Sequence, residues 1–191
     1  IAVVPNDCAD HQLDALQAQG VIGIAFNPSL MGFDFYADLE PLLKRLKNCD
    51  MWAQFQVEHD LLLPFLPMIQ RAGVKVLIDH CGRPHLQKGL DQAGFQALLA
   101  LGREGRAVVK ISGYAKFSEM GYPFTDVQPY VDALLKNFGA QNCVWASDWP
   151  YLKAPYRLDY GPMLKVLERQ FSEDERTTML WDAPMHHFQF A

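Results

Sequence analysis

Short, nearly continuous apolar runs alternate along this chain with longer stretches whose apolar residues recur at helical spacing. The runs cover residues 1–4, 21–26, 52–57, 74–78, 107–111 and 143–146. They are rich in Val, Ile, Ala and Phe, which suits strands buried on both faces. Between them, residues 10–19, 36–47, 61–72, 92–103 and 126–137 read as helices. Leu39, Leu42, Leu43 and Leu46 lie at the i, i+3, i+4, i+7 spacing of one helix face, and Val127, Tyr130, Val131 and Leu134 repeat that pattern. Gly20, Gly73 and Gly139 each stand between a helical stretch and the next strand, where a left-handed cap is wanted. Ser172-Glu-Asp-Glu175 is a capping-box signature that opens a final helix reaching about Trp181.

Strands alternating with helices at roughly 30-residue spacing demand a parallel sheet with helices packed outside it. Two α/β architectures satisfy that demand. One is an open doubly wound sheet, complete in these residues. The other is a (β/α)8 barrel of the TIM type with its first one to two β/α units missing from this chain. The early βα turns carry no glycine-rich phosphate fingerprint, which weakens a nucleotide-binding open sheet. The chain also begins on a strand-like run without a methionine, which leads us to expect that further sequence precedes it. Residues 1–191 read as a single domain, with no linker or repeat interrupting them.

Charge and cysteine usage narrow the partners. A formal charge of −5 argues against a nucleic acid or an anionic membrane surface, both of which call for a basic face. No apolar run approaches the ~18 residues of a membrane span, and no secretory signal is visible. Cys8, Cys49, Cys81 and Cys143 are scattered without a C-x-x-C pair, so we expect buried free thiols and a reducing cytoplasm. A small molecule is the partner this leaves.

In both architectures chemistry collects where strands end. Those ends carry Asn27-Pro28, then Gln56 with Glu58-His59-Asp60, then Asp79-His80-Cys81-Gly82-Arg83-Pro84. They continue with Lys110 and Ser112-Gly113, then Ser147-Asp148-Trp149-Pro150 followed by Tyr151. A sheet built only for stability has little reason to gather so many polar groups on one edge. Alternation along a strand predicts that Asp79 and His80 face opposite ways. Asp148, just past a buried strand and beside a tryptophan, is placed to act as a general base on water. Plainer readings compete. Arg83 pairs with Asp79 in a turn clamp, Lys110 sits in an internal ion pair, Glu58-His59-Asp60 is a solvated loop, and His186 and His187 pack a helix. Phe33, Phe35, Tyr36, Tyr114, Phe117 and Tyr122 either line an apolar pocket or pack their loops.

The segments VLIDHCGRP, VVKISGYAKFS and VWASDWPY, in this order and spacing, resemble the amidohydrolase-2 family, and within it the branch of 2-pyrone-4,6-dicarboxylate lactonase and related lactone hydrolases. IAVV, GVIGIAFN and LWDAPMHHF fit the same pattern, so the likeness runs over essentially the whole chain. It implies a barrel hydrolase opening a cyclic ester, with Asp148 activating water and His80 polarising the carbonyl. Arg83 would anchor a substrate carboxylate, and Lys116 would supply a further cation. Asn27, Gln56 and Tyr151 are the remaining substrate contacts. Ala25 stands where that branch has an arginine, which predicts a less anionic substrate. The family's His-x-His pair has no counterpart in this chain, and Gln56 replaces the histidine of zinc-binding branches. The expected cofactor is therefore either none or one divalent zinc, with His80 and Asp148 as the available ligands. A zinc-dependent decarboxylase of the same family and a non-catalytic ligand-binding domain are the alternatives.

Overall fold

The computed structural model describes residues 1–189. Five strands, β1 Gly23–Phe26, β2 Trp52–Phe55, β3 Lys75–Ile78, β4 Ala107–Ile111 and β5 Cys143–Trp145, form one sheet in sequence order, each pair parallel. Residues 1–4, expected as a strand, join it through a single parallel bridge, Ala2 to Ile24. Only the Ala2 N–H and C=O reach β1, at 2.9 and 2.8 Å.

Helices alternate with the strands: α1 Asp10–Ala18, the short α2 Pro28–Met31, α3 Glu40–Asn48, α4 Leu66–Ala72, α5 Ala93–Arg103, α6 Gln128–Phe138 and α7 Tyr160–Gln170, then α8 Glu173–Thr177 and α9 Ala183–Phe188. Sequential parallel strands whose connecting helices pack on one face are the architecture of a TIM-type barrel sector, not of a doubly wound sheet. One sheet face sets Ile24, Phe26, Ala53, Phe55, Val76, Ile78, Val109 and Ile111 against the leucine stripe of α3 and the apolar faces of α5 and α6. On the opposite face Trp52, Leu77, Val108 and Val144 gather with Ala183 of α9.

Prolines explain most shifted helix starts. Pro41, Pro67 and Pro129 occupy the first turns of α3, α4 and α6, where the missing N–H costs nothing. Residues 36–39, 61–65 and 126–127, expected in those helices, lie outside them. Three-residue 3-10 turns fill part of these stretches, at Asp34–Tyr36, Leu63–Phe65 and Thr125–Val127. Helix α7 had no counterpart in the sequence reading, although Met163, Val166 and Leu167 mark its buried face. The capping box is present, with Ser172 Oγ accepting from the Glu175 N–H and Glu175 Oε2 accepting from the Ser172 N–H at 2.8 Å. The helix it opens runs past Trp181, through a π-helical turn at Thr178–Asp182, into α9. Gly73 caps α4 in the left-handed conformation, whereas Gly139 has a positive φ with an extended ψ. No described helix is long and apolar enough to cross a membrane.

Candidate active site

Strand β3 ends at Ile78, and the chain turns at once. Asp79 is still extended, while His80 and Cys81 take φ of 52° and 57° and Arg83 takes 44°. Asp79 and His80 do part ways as alternation predicts, although the left-handed turn, not continued strand, separates them. Asp79 reaches Lys110 Nζ on β4 with Oδ1 at 2.8 Å and accepts from Gln54 Nε2 on β2 with Oδ2 at 2.8 Å. The left-handed step at His80 then swings the imidazole to the strand ends, where Nε2 lies 3.6 Å from Asp148 Oδ1 and Nδ1 lies 3.0 Å from Ser112 Oγ.

Asp148 sits three residues beyond β5, also left-handed at φ 64°. Its second oxygen lies 3.1 Å from Lys116 Nζ, and that ammonium also donates to the Leu152 carbonyl at 2.9 Å. Lys116 closes the 3-10 turn that follows β4, so carboxylate, imidazole and ammonium come from three successive strand ends. All three side chains are less than one-fifth exposed, so their interactions are screened less than those of surface pairs. Burial pulls the His80 pKa below the ordinary histidine value; Asp79 and Asp148 oppose that shift, and Lys116 and Lys110 add to it. That shift favours the neutral imidazole. Cys81, next in the chain, is fully buried and its thiol is pushed up to about 12, too high to serve as a nucleophile at neutral pH.

Beside this group lies a cavity of 520 Å³ whose lining includes Asn27, Ser29, Gln56, Glu58, Arg83, Lys116 and Lys153. Arg83 bridges Glu58 at 2.7 Å and donates to Ser29 Oγ at 3.2 Å. Asn27 also caps α2, its Oδ1 accepting from the Leu30 N–H and from Ser29 Oγ. The expected solvated loop at 58–60 holds in part: His59 is exposed and the Asp60 side chain is nearly half exposed while accepting from the Gly94 N–H at the start of α5, but Glu58 faces the cavity. Arg83 pairs with Glu58, not with Asp79, and Lys110 does hold an internal ion pair. Tyr151 stands apart from this lining, packed against the main apolar core. Tyr36 and Tyr114 are buried and pack their loops, while Phe117 lines a neighbouring 340 Å³ hollow that shares Glu58, Arg83 and Lys116. His187 packs on Trp52 and bonds the Gln141 carbonyl.

The sequence reading gave no role to Ser29, Ser112 or Lys153. Ser112 lay within reach of reasoning, because it stands directly after β4, at a strand end. Ser29 and Lys153 sit in loops, where no periodicity points at a cavity.

The amidohydrolase family model matches residues 1–190. A 4-sulfomuconolactone hydrolase from Rhizobium radiobacter is 29% identical over 185 residues, 93% of this chain and 61% of its own length. The chain thus spans about three-fifths of the length of that curated relative. A Pseudomonas putida crystal structure described as a candidate 2-pyrone-4,6-dicarboxylic acid hydrolase superposes with a TM-score of 0.83 at 27% identity, over 98% of this chain and 70% of that one. A Burkholderia multivorans amidohydrolase with bound zinc shares the fold, with a TM-score of 0.72 at 22% identity over 88% of this chain and 64% of its own. Catalytic zinc takes about three protein ligands. Among the described residues no group of three His, Cys, Asp or Glu side chains is arranged to hold a metal. His80 and Asp148 offer two donors, one of them engaged by Lys116, so the described residues do not fit a zinc by themselves.

Proposed function

Because the chain belongs to the amidohydrolase-2 family, we propose that it works as a hydrolase that opens a lactone bearing an acidic substituent. The observation that carries this reading is the meeting of Asp148, His80 and Lys116 at three strand ends, with Lys116 facing both the carboxylate and the cavity. Asp148 takes a proton from water as the water oxygen adds to the ring carbonyl carbon. The carbonyl oxygen gains the negative charge, and the Lys116 ammonium and the His80 imidazole stand ready to meet it. Collapse of the tetrahedral adduct breaks the carbon–oxygen bond of the ring. The proton held by Asp148 passes to the departing ring oxygen, so one water is consumed and a hydroxy acid is released.

Charge in the cavity supports an acidic substrate. Arg83, Lys116 and Lys153 line it with three positive charges against Glu58, and Asp148, outside the lining, pairs with Lys116, so an excess of one positive charge remains. One acidic group restores neutrality, which agrees with a substrate less anionic than a dicarboxylate. Arg83, with its planar fork of donors, is the group suited to bind it.

The test is hydrolysis of a panel of acid-bearing and neutral lactones by the full chain, followed as acid release. Replacing Asp148 with Asn should lower kcat by about 10²- to 10⁴-fold while circular dichroism stays unchanged. An Asp148→Asn variant within a few-fold of the parent would sink the reading.

A further inference from the structure

We infer that Ser112 is a positioning residue that fixes His80 as the tautomer carrying its proton on Nε2, so that the imidazole presents a neutral hydrogen-bond donor to the reacting carbonyl. The inference rests on the lactonase reading for its consequence; which nitrogen of the neutral ring carries the proton follows from its contacts.

Ser112 is 2% exposed and follows β4 directly. Among the described residues its hydroxyl has one hydrogen-bonding neighbour, His80 Nδ1 at 3.0 Å. For the neutral ring that burial favours, two arrangements of hydrogens are available. If Nδ1 carried the ring proton, the serine hydroxyl hydrogen would be buried without an acceptor, which is costly. The Nε2 lone pair would then point at Asp148 Oδ1, 3.6 Å away, setting two electron-rich atoms face to face. If the serine donates to Nδ1, both hydrogens are used well, and the Nε2 proton is directed toward the carboxylate and the space beside it. The second arrangement wins on both counts.

The backbone enforces the same geometry. Gly113 has φ 67°, and a Cβ there would lie 2.6 Å from the His80 ring. The imidazole therefore rests on bare main chain beside the serine that orients it. The charged groups facing the ring are Asp79 on its own turn, Lys110 from β4, Lys116 from the turn after β4, and Asp148 from beyond β5. Asp148 remains the base, and His80 needs no proton transfer of its own to polarise the carbonyl.

Two measurements test this. In uniformly 15N-labelled full chain, with the His80 signals identified by their loss in His80→Gln, Nδ1 should resonate as a pyridine-type nitrogen and Nε2 as a pyrrole-type nitrogen. The opposite pattern overturns the inference without touching the assignment of Asp148. In kinetics, Ser112→Ala should cut kcat about tenfold, the value of one ordinary hydrogen bond, with KM within twofold. Because the serine's donation favours the neutral ring, its loss should move the acid limb of kcat toward higher pH. Ser112→Thr, which keeps the hydroxyl, should restore both. Parent-like kcat and pH profile in Ser112→Ala, beside an inactive Asp148→Asn, would discard the positioning role alone. Full activity in Asp148→Asn would discard the lactonase reading instead.

Discussion

Removing the Lys110 ammonium tests the electrostatics beneath the site. Lys110→Met keeps the unbranched stem of the side chain and deletes the charged end. Asp79, 5% exposed, then retains only the hydrogen bond from Gln54. Breaking a buried pair by removing one partner costs about 3–5 kcal/mol. Lys110 is nearly one-quarter exposed, so water softens the loss, and we expect the low end, about 3 kcal/mol at pH 7. A second effect caps the penalty. An uncompensated carboxylate can instead take up a proton, at a cost for a reference aspartate of about 4 kcal/mol at pH 7 and about 1.5 kcal/mol at pH 5. The destabilisation of Lys110→Met should therefore shrink by about half between pH 7 and pH 5. Asp79→Asn combined with Lys110→Met keeps an acceptor for Gln54 and leaves no charge stranded, so it should be more stable than Lys110→Met alone. Urea unfolding followed by tryptophan fluorescence measures all three variants. A single-variant loss below about 0.5 kcal/mol, or one equal at the two pH values, would show that solvent, not Lys110, neutralises Asp79.

Two further predictions concern catalysis and pH. Arg83→Met should raise KM for acid-bearing lactones about tenfold or more while leaving neutral lactones unaffected, and equal loss on both classes would assign Arg83 to the turn and not to the substrate. His80 is depressed in the folded state, so the unfolded chain binds more protons between the two pKa values. Stability is therefore full above the reference value near 6.5 and falls as pH drops toward the folded value. Activity should hold through pH 6.5 and decline only below it, and a pH–rate profile with its acid limb above 6.5 would contradict the neutral imidazole.

Much of the sheet was legible because its strands are buried on both faces and read as unbroken apolar runs. Helices α3 and α6 were legible from their leucine and valine stripes, although their first residues were not, because proline sets the start and the periodicity extends past it. Helix α7 escaped notice since its buried residues, Met163, Val166 and Leu167, are diluted by charged neighbours. At the site, DHCGRP and SDWP pointed to His80, Arg83 and Asp148 because polar residues at strand ends have nowhere to go but the same rim. The partners of those residues were less visible. That Arg83 meets Glu58 and Asp79 meets Lys110 depends on which strands are neighbours and on a left-handed turn, neither of which periodicity reports.

That turn bears on how the protein tolerates change. His80, Cys81 and Arg83 after β3, and Asp148, Tyr151 and Lys153 after β5, all hold positive φ without being glycine. Each such residue costs about 1–2 kcal/mol relative to a right-handed conformation. Glycine at His80, Arg83 or Asp148 would relieve the cost and remove a side chain that the site uses. Selection for heat resistance alone therefore runs downhill toward an inert molecule, while selection for turnover must keep restoring strain at two short loops. Stabilising this scaffold without loss of function calls for changes in the helical layer, away from the rim where the chain is already working against itself.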